Sequence, residues 1–224
     1  MAAAPERHPG WASGARLWLV RHTEVHPDWQ GKAYGNLDVP LAPEGEAQVR
    51  EVARAFAKLE PTAILSSPLQ RATRLAEELA QTTGAPLSLE PDLREIHRGR
   101  WQGMSVAELY DRHAEQVRAF YADPWDYHAH EGENDAMVSA RVWPVLERAL
   151  AQQAGGTLIV VAHYNVIRVV VRDALGVPPA RSFGLRIETG RAALLLDDEA
   201  GWVLRRSNVT SPAPAGPAPG ADPR

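Results

Sequence analysis

The chain has 224 residues, 45% of them hydrophobic, with 24 basic against 28 acidic side chains, a net charge of −4 and no cysteine. That length and apolar share suffice for one substantial core. The charge balance offers no footprint for nucleic acid or an anionic membrane, so an anionic ligand needs a local cluster of cations; disulfides, thiol catalysis and cysteine-ligated metals are excluded.

In chain order, residues 1–14 are Ala, Pro, Gly and polar and read as a flexible tail. Met1-Ala2-Ala3-Ala4-Pro5-Glu6-Arg7-His8 lacks the apolar middle of a secretory signal, and no apolar run approaches a membrane span, so a soluble cytoplasmic protein is expected. Ala15 to Val20 is a short apolar run, the pattern of a buried parallel strand, and Arg21-His22 ends it. Pro43 to Leu59 carries Val49, Val52, Ala53, Phe56 and Leu59 on one helical face. Thr62 to Ser66 predicts a second strand, and Leu69, Ala72, Leu75, Ala76 and Leu79 stripe a second helix that begins at Pro68 or Leu69 and that Gly84 can stop. Leu87 to Leu89 makes a short third strand.

Ser105-Val106-Ala107-Glu108 has capping-box spacing ahead of a helix to about Tyr121, residues 122–133 read as a loop, and Asn134-Asp135 can cap a helix with Val138, Val142, Val145, Leu146 and Leu150 inward. Thr157-Leu158-Ile159-Val160-Val161-Ala162 is the strongest buried-strand signal, and His163 stands at its end. A helix from Asn165 to Leu175 follows. Strands are expected near Ser182–Ile187, Arg191–Leu196 and Trp202–Arg206, and 209–224 is a disordered Pro/Ala-rich tail. The alternation predicts an α/β fold, a three-layer α/β/α sandwich with a mostly parallel sheet and an antiparallel edge strand, in one domain over 15–208.

Open α/β sheets bind ligands beyond the carboxyl ends of their strands. Two strands here end alike, in Val20-Arg21-His22 and in Val161-Ala162-His163, so two histidines can meet over the sheet edge. Ser66-Ser67-Pro68-Leu69-Gln70-Arg71-Ala72 supplies a third strand end and places Arg71 in the first turn of a helix. A cation there opposes the helix dipole, and a bound phosphate would offset the conflict. Taken singly, each of these segments also fits a strand end or a solvated arginine with no chemical duty.

Together they carry a likeness. Leu19-Val20-Arg21-His22, Ser66-Ser67-Pro68-Leu69-Gln70-Arg71-Ala72, Leu93-Arg94-Glu95 with Gly99-Arg100-Trp101-Gln102-Gly103, and Val160-Val161-Ala162-His163 stand in one order. In these blocks the chain resembles the histidine phosphatase superfamily, the clan that includes cofactor-dependent phosphoglycerate mutase, over about residues 15–208. The resemblance implies that His22 is the nucleophile that becomes phosphohistidine, that Arg21, Arg71 and His163 line the phosphate pocket, and that Glu95 is the proton donor. Phosphoryl transfer mostly needs positioned positive charge, and two guanidiniums and an imidazolium supply it with no metal and no cofactor. His22 must attack neutral while His163 helps most when protonated, so their pKa values are expected to split.

The chain departs from the family in several places. The Gly after the nucleophile is Thr23, the downstream Trp-Asn pair is answered only by the displaced Trp29-Gln30, the Gly after the second histidine is Tyr164, and Gln-Thr-Ala after the pocket arginine reads Arg74-Leu75-Ala76. Thr23, Gln30, Asn36 and Tyr164 are therefore candidates for further substrate contacts beside Arg21 and Arg71. Arg21-His22-Thr23-Glu24-Val25 with Tyr34-Gly35-Asn36-Leu37-Asp38-Val39-Pro40-Leu41 is similar to the branch containing α-ribazole phosphatases.

The expected activity is a metal-independent phosphomonoesterase acting on a small phosphorylated metabolite, with α-ribazole phosphate one candidate. The alternatives are a cofactor-dependent phosphoglycerate mutase and a catalytically silent binding module on the same fold. Neither nucleic acid nor membrane is an expected partner, and a homodimer is left open. His128 and His130 beside Glu131 and Glu133 read as loop residues in preference to metal ligands. His26 and His97 flank the catalytic blocks, Trp29 and Trp125 are candidates to wall a cleft, and Glu24, Asp38 and Glu133 stand in reserve should Glu95 not be the acid.

Overall fold

The structure is a computed structural model, and it describes residues 14–153, 155–198 and 201–212. All but a few residues of the two expected tails lie outside the described residues. Six strands form one sheet: β1 (Arg16–Arg21), β2 (Ala63–Ser66), β3 (Leu87–Leu89), β4 (Thr157–Ala162), β5 (Ala192–Asp198) and β6 (Gly201–Val209). Their spatial order is β3-β2-β4-β1-β5-β6. The first four run parallel, while β5 and β6 add an antiparallel margin of two strands. The helices are α1 (Pro43–Phe56), α2 (Gln70–Thr83), α3 (Val106–Ala122), α4 (Asp135–Gln152) and α5 (Tyr164–Leu175).

The unbroken apolar runs in β1 and β4 follow from helices covering both faces of the sheet. Leu17, Leu19, Leu158, Val160, Ala193 and Leu195 join the buried faces of α4 and α5 in one core. Their neighbours Trp18, Val20, Ile159, Val161, Ala192 and Leu194 join α1 and α2 in a second. The period-two alternation of strand side chains thus divides the interior into the two cores of a three-layer sandwich. Helix α3 stands apart, with Leu109, Val117 and Phe120 around Trp101.

Local signals set most of the helix ends. Ser105 and Glu108 close a capping box at α3, the Asn134 side chain accepts from the Met137 N–H at α4, and Gly84 and Gly176 end α2 and α5 at φ of 74° and 63°. Two expectations are corrected. Helix α1 stops at Phe56 and not at Leu59. The strand expected near Ser182–Ile187 is a 3-10 turn over Pro179–Gly184. Pro178 and Pro179 set its start, and the Ser182 hydroxyl, which donates to the Pro179 carbonyl at 2.6 Å and accepts from Arg168 at 2.6 Å, holds it.

Beneath that turn lies a buried ionic cluster. Asp135 accepts from Arg168 at 2.6 and 2.8 Å and from Arg172 at 2.8 Å, and Arg172 also pairs with Asp173. This ties α4 to α5. Removing the shared anion would leave the buried Arg168 guanidinium without an acidic partner and Arg172 with Asp173 alone. Asp135→Ala is therefore expected to cost at least about 3–5 kcal/mol in chemical denaturation, whereas Glu131→Ala, which breaks an exposed pair with Arg100, should leave the midpoint near wild type. Equal losses from the two variants would contradict this reading.

Candidate active site

The sheet register delivers the site. Arg21 pairs with Ala162 and Ser66 with Val161 across the central strands. One residue further on, the His22 N–H donates to the Ala162 carbonyl at 3.0 Å and the Ser67 N–H to the Val161 carbonyl at 3.0 Å. His22, His163 and Ser67 therefore leave three adjacent strand ends side by side. The two imidazoles lie 5.2 Å apart between ring centroids, tilted by 52°, and both are buried.

Each ring is held by one nitrogen. His22 Nδ1 sits 2.7 Å from the Thr23 carbonyl; a carbonyl only accepts, so Nδ1 carries the proton and Nε2 keeps a free lone pair. His163 Nε2 lies 2.8 Å from Ser67 Oγ. Burial, joined by the positive charges of Arg71 and Arg21, pushes the pKa of His22 well below its ordinary 6.5. His163 moves the same way, first through burial and then through Arg71, His22 and Arg21. The expectation of a charged His163 is thus corrected: both imidazoles are pushed toward the neutral form, because desolvation and the same two guanidiniums act on both.

The guanidiniums are braced by backbone. Arg71, fully buried near the start of α2, donates to the carbonyls of Leu37 at 2.7 Å and Gly35 at 2.8 Å and lies over the Tyr34 ring at 5.1 Å. Gly35 has φ of 46°, and a Cβ there would meet the Ile96 carbonyl at 2.6 Å, so this close approach requires glycine. Asp38 accepts from the Gln70 N–H at 2.7 Å, supplying the anion that the first turn of α2 favours. Arg21 donates to the Ile187 carbonyl at 2.8 Å and lies 5.5 Å over the Tyr164 ring. Four polar atoms around these groups, Arg21 Nε, Arg71 Nε, Thr23 Oγ1 and His163 Nδ1, are buried without a hydrogen-bond partner.

Glu95 is buried and held by three N–H groups. Ile96 donates to Oε1 at 2.9 Å, and the backbone and side-chain nitrogens of Asn165 both donate to Oε2 at 3.2 Å. Its carboxyl lines a cavity of about 370 Å³ together with Asn36, Arg94, His97 and Arg141, among others.

The remaining sequence candidates divide. Thr23 is buried beside His22, and Tyr164 opens α5 with its hydroxyl donating to the Leu185 carbonyl at 3.3 Å. Gln30 is exposed and spends its amide on the Val25 carbonyl at 3.1 Å. The reserve acids have other partners. Glu24 accepts from Thr189, Asp38 from Gln70, and Glu133 from Arg141 and the His97 N–H. Burial would raise the Glu133 pKa, but Arg141 and His97 outweigh it and the net shift is downward.

His97 Nδ1 accepts from the Gly99 N–H at 3.2 Å, and His26 approaches Asp28 at 3.3 Å. His128 Nδ1 bonds the Asp126 carbonyl at 2.8 Å, while His130 stacks on Trp101 with centroids 4.4 Å apart. Among the described residues no three His, Asp or Glu side chains group as a metal would need. Arg172 lies over the Trp125 ring at 4.7 Å and Lys32 over the Trp29 ring at 5.5 Å. Sequence reasoning missed Ser67, Tyr34 and Asn165. For Asn165 a signal existed, since a polar side chain at a helix start two residues after His163 has to point near the strand end.

Residues 17–210 match the family model of the histidine phosphatase superfamily (branch 1). A glucosyl-3-phosphoglycerate phosphatase of Mycolicibacterium vanbaalenii is 33% identical over 170 residues, which is 73% of this chain and 75% of that protein. Phosphoserine phosphatase 1 of Hydrogenobacter thermophilus is 28% identical over 195 residues, 87% of this chain and 92% of its own. The crystal structure of the α-ribazole phosphatase from Shigella flexneri superposes with a TM-score of 0.77 at 23% identity, over 90% of this chain and 100% of that one, a likeness of fold.

The neutral histidines make stability depend on pH. His22 and His163 titrate well below 6.5 when folded, and burial followed by the charge of Arg98 takes His130 to about 4. Below pH 6.5 the unfolded chain therefore binds protons that the folded chain refuses. Stability must fall as pH drops, by up to about 1.4 kcal/mol per pH unit for each histidine. Denaturant midpoints at pH 7.5 and 5.5 should show this fall. A flat profile would contradict the burial argument.

Proposed function

Because the chain belongs to the histidine phosphatase superfamily, we propose that it is a metal-independent phosphomonoesterase that hydrolyses a small phosphorylated metabolite through a phosphohistidine on His22. The observation that carries this reading is the His22 imidazole: neutral, oriented by Thr23, with its Nε2 lone pair free beside two guanidiniums that have hydrogen-bond capacity to spare. A nucleophile that is uncharged near neutral pH needs no general base. Arg21, Arg71 and His163 stabilise the charge spread over the nonbridging oxygens, and their bonds to fixed carbonyls keep the cations in place before the substrate arrives.

The cycle has two halves. His22 Nε2 forms a bond to phosphorus as the ester P–O bond breaks, and Glu95 gives its proton to the leaving alkoxide. Glu95 then takes a proton from the water that attacks the phosphohistidine, which releases inorganic phosphate and restores neutral His22. The two curated relatives are named for glucosyl-3-phosphoglycerate and phosphoserine, alkyl phosphates with poor leaving groups that require such a donor. The α-ribazole reading draws on the strand-end pattern and on fold likeness, so it ranks as one member of the panel to be tested. No helix among the described residues is long and apolar enough to cross a membrane.

Turnover of a panel of phosphomonoesters, with bisphosphoglycerate-dependent mutase activity measured in parallel, tests the proposal. The wild type should hydrolyse alkyl esters in the presence of chelator, and His22→Ala should lose nearly all activity while remaining folded. Glu95→Gln should slow alkyl phosphates by about 10²–10⁴-fold and p-nitrophenyl phosphate far less, because nitrophenolate departs without a proton. Equal slowing of both classes would remove Glu95 from the donor role. Full activity in His22→Ala would end the covalent mechanism, and mutase turnover exceeding hydrolysis would favour the alternative.

A further inference from the structure

The hydrogen-bond chain behind His163 extends the proposed mechanism. Ser67 Oγ stands 3.3 Å from the Leu69 N–H, which can only donate to it, and 2.8 Å from His163 Nε2. All three residues are buried. Two proton arrangements are available to the Ser67–His163 pair. If Nε2–H donated to the hydroxyl, the hydroxyl hydrogen would have no acceptor among the described residues, and His163 Nδ1 would carry a lone pair with nothing to receive. If the hydroxyl donates to Nε2, its accepting side serves Leu69, its hydrogen serves the ring, and the only unspent group is an N–H at Nδ1. Buried polar groups favour the arrangement that leaves fewest unpaired.

Nδ1 is the atom of His163 that is buried without a partner, on a ring 5.2 Å from that of His22 and close to Arg21 and Arg71. A lone pair there would repel a phosphoryl oxygen, whereas an N–H would complete the unspent donors on Arg21 and Arg71. We infer that Ser67 is a positioning residue that fixes His163 as the neutral Nδ1–H tautomer, and that His163 contributes to phosphoryl transfer as an uncharged hydrogen-bond donor. A neutral imidazole can polarise a reacting oxygen when its environment disfavours the imidazolium. The shared burial and the two guanidiniums disfavour it here, in agreement with the direction of the His163 shift. No proton leaves His163 at any step, so Glu95 remains the one group that exchanges protons with leaving group and water.

The inference rests on the phosphatase reading, and nitrogen-15 NMR separates the two. In the full chain labelled at histidine, with the His163 signals assigned by their loss in His163→Gln, wild type at pH 7 should show a protonated Nδ1 and an unprotonated Nε2. The same tautomer should persist with inorganic phosphate bound, while the Nδ1 proton signal moves downfield. Ser67→Ala should mix the tautomers and lower kcat/KM for an alkyl phosphate by about tenfold or more. Ser67→Thr, which keeps the hydroxyl, should restore both. An imidazolium at His163 with phosphate bound, an Nε2–H tautomer, or a Ser67→Ala variant with wild-type tautomer and turnover would overturn the inference. The wild-type spectra decide it even if Ser67→Ala fails to fold. Loss of activity in His22→Ala alongside any of those results would leave the phosphatase reading standing.

Discussion

The hydrogen bond from His22 N–H to the Ala162 carbonyl continues the β1–β4 ladder by one residue, and the site depends on it. That ladder places the first residue beyond β1 next to the first residue beyond β4. The matching bond from Ser67 to Val161 adds the end of β2. Parallel strands end on the same side of a sheet, so three segments separated by dozens of residues deliver their polar groups to one edge. A slip of one residue in β1 would turn His22 away from His163 and exchange the side chains of the two cores at the same time. The packing of Leu17 and Leu19 on one face, with Trp18 and Val20 on the other, therefore guards the catalytic register as well as the fold.

Burial is the second constraint, and it shapes the electrostatics. The imidazoles are pushed toward the neutral form because the edge they occupy is buried and already positively charged. The guanidiniums tolerate the same environment because backbone carbonyls, and not carboxylates, take up part of their donor capacity. A carboxylate partner would have cancelled the charge that a phosphate has to meet. A carbonyl braces the cation and leaves it available. Arg168 and Arg172, by contrast, pair with Asp135, and Arg168 also donates to Asn165, linking the residue that holds Glu95 to α4.

Much of this was legible before the structure. The apolar runs Leu17–Val20 and Thr157–Ala162 are fully covered strands, and a histidine following each one marks a sheet edge. The conflict between Arg71 and the dipole of α2 also pointed to an anion. What the sequence lacked was information held between distant residues. Asp38, which satisfies the first turn of α2 from 32 positions away, looks like an ordinary loop acid. Ser67 reads as an ordinary strand-end residue until β4 is known to lie beside β2. His163 was expected to be charged because burial and the charges of its neighbours are tertiary quantities. Phe183, Leu185 and Ile187 alternate as a strand would, yet Pro178-Pro179 and the Ser182–Arg168 bond won that segment for a turn. Gln30 was named by its likeness to a family position, and its amide is engaged by the Val25 carbonyl, a contact the sequence does not announce.

The central claim is that His22 Nε2 makes and breaks the bond to phosphorus. The most direct measurement is to mix the enzyme with a turned-over phosphomonoester, quench rapidly in alkaline denaturant to preserve phosphohistidine, and locate the phosphoryl group by peptide mass spectrometry. The account predicts one phosphorylated site, His22, formed and lost at rates compatible with turnover. A phosphoryl group on any other residue, or hydrolysis proceeding with no phosphorylated enzyme, would contradict it.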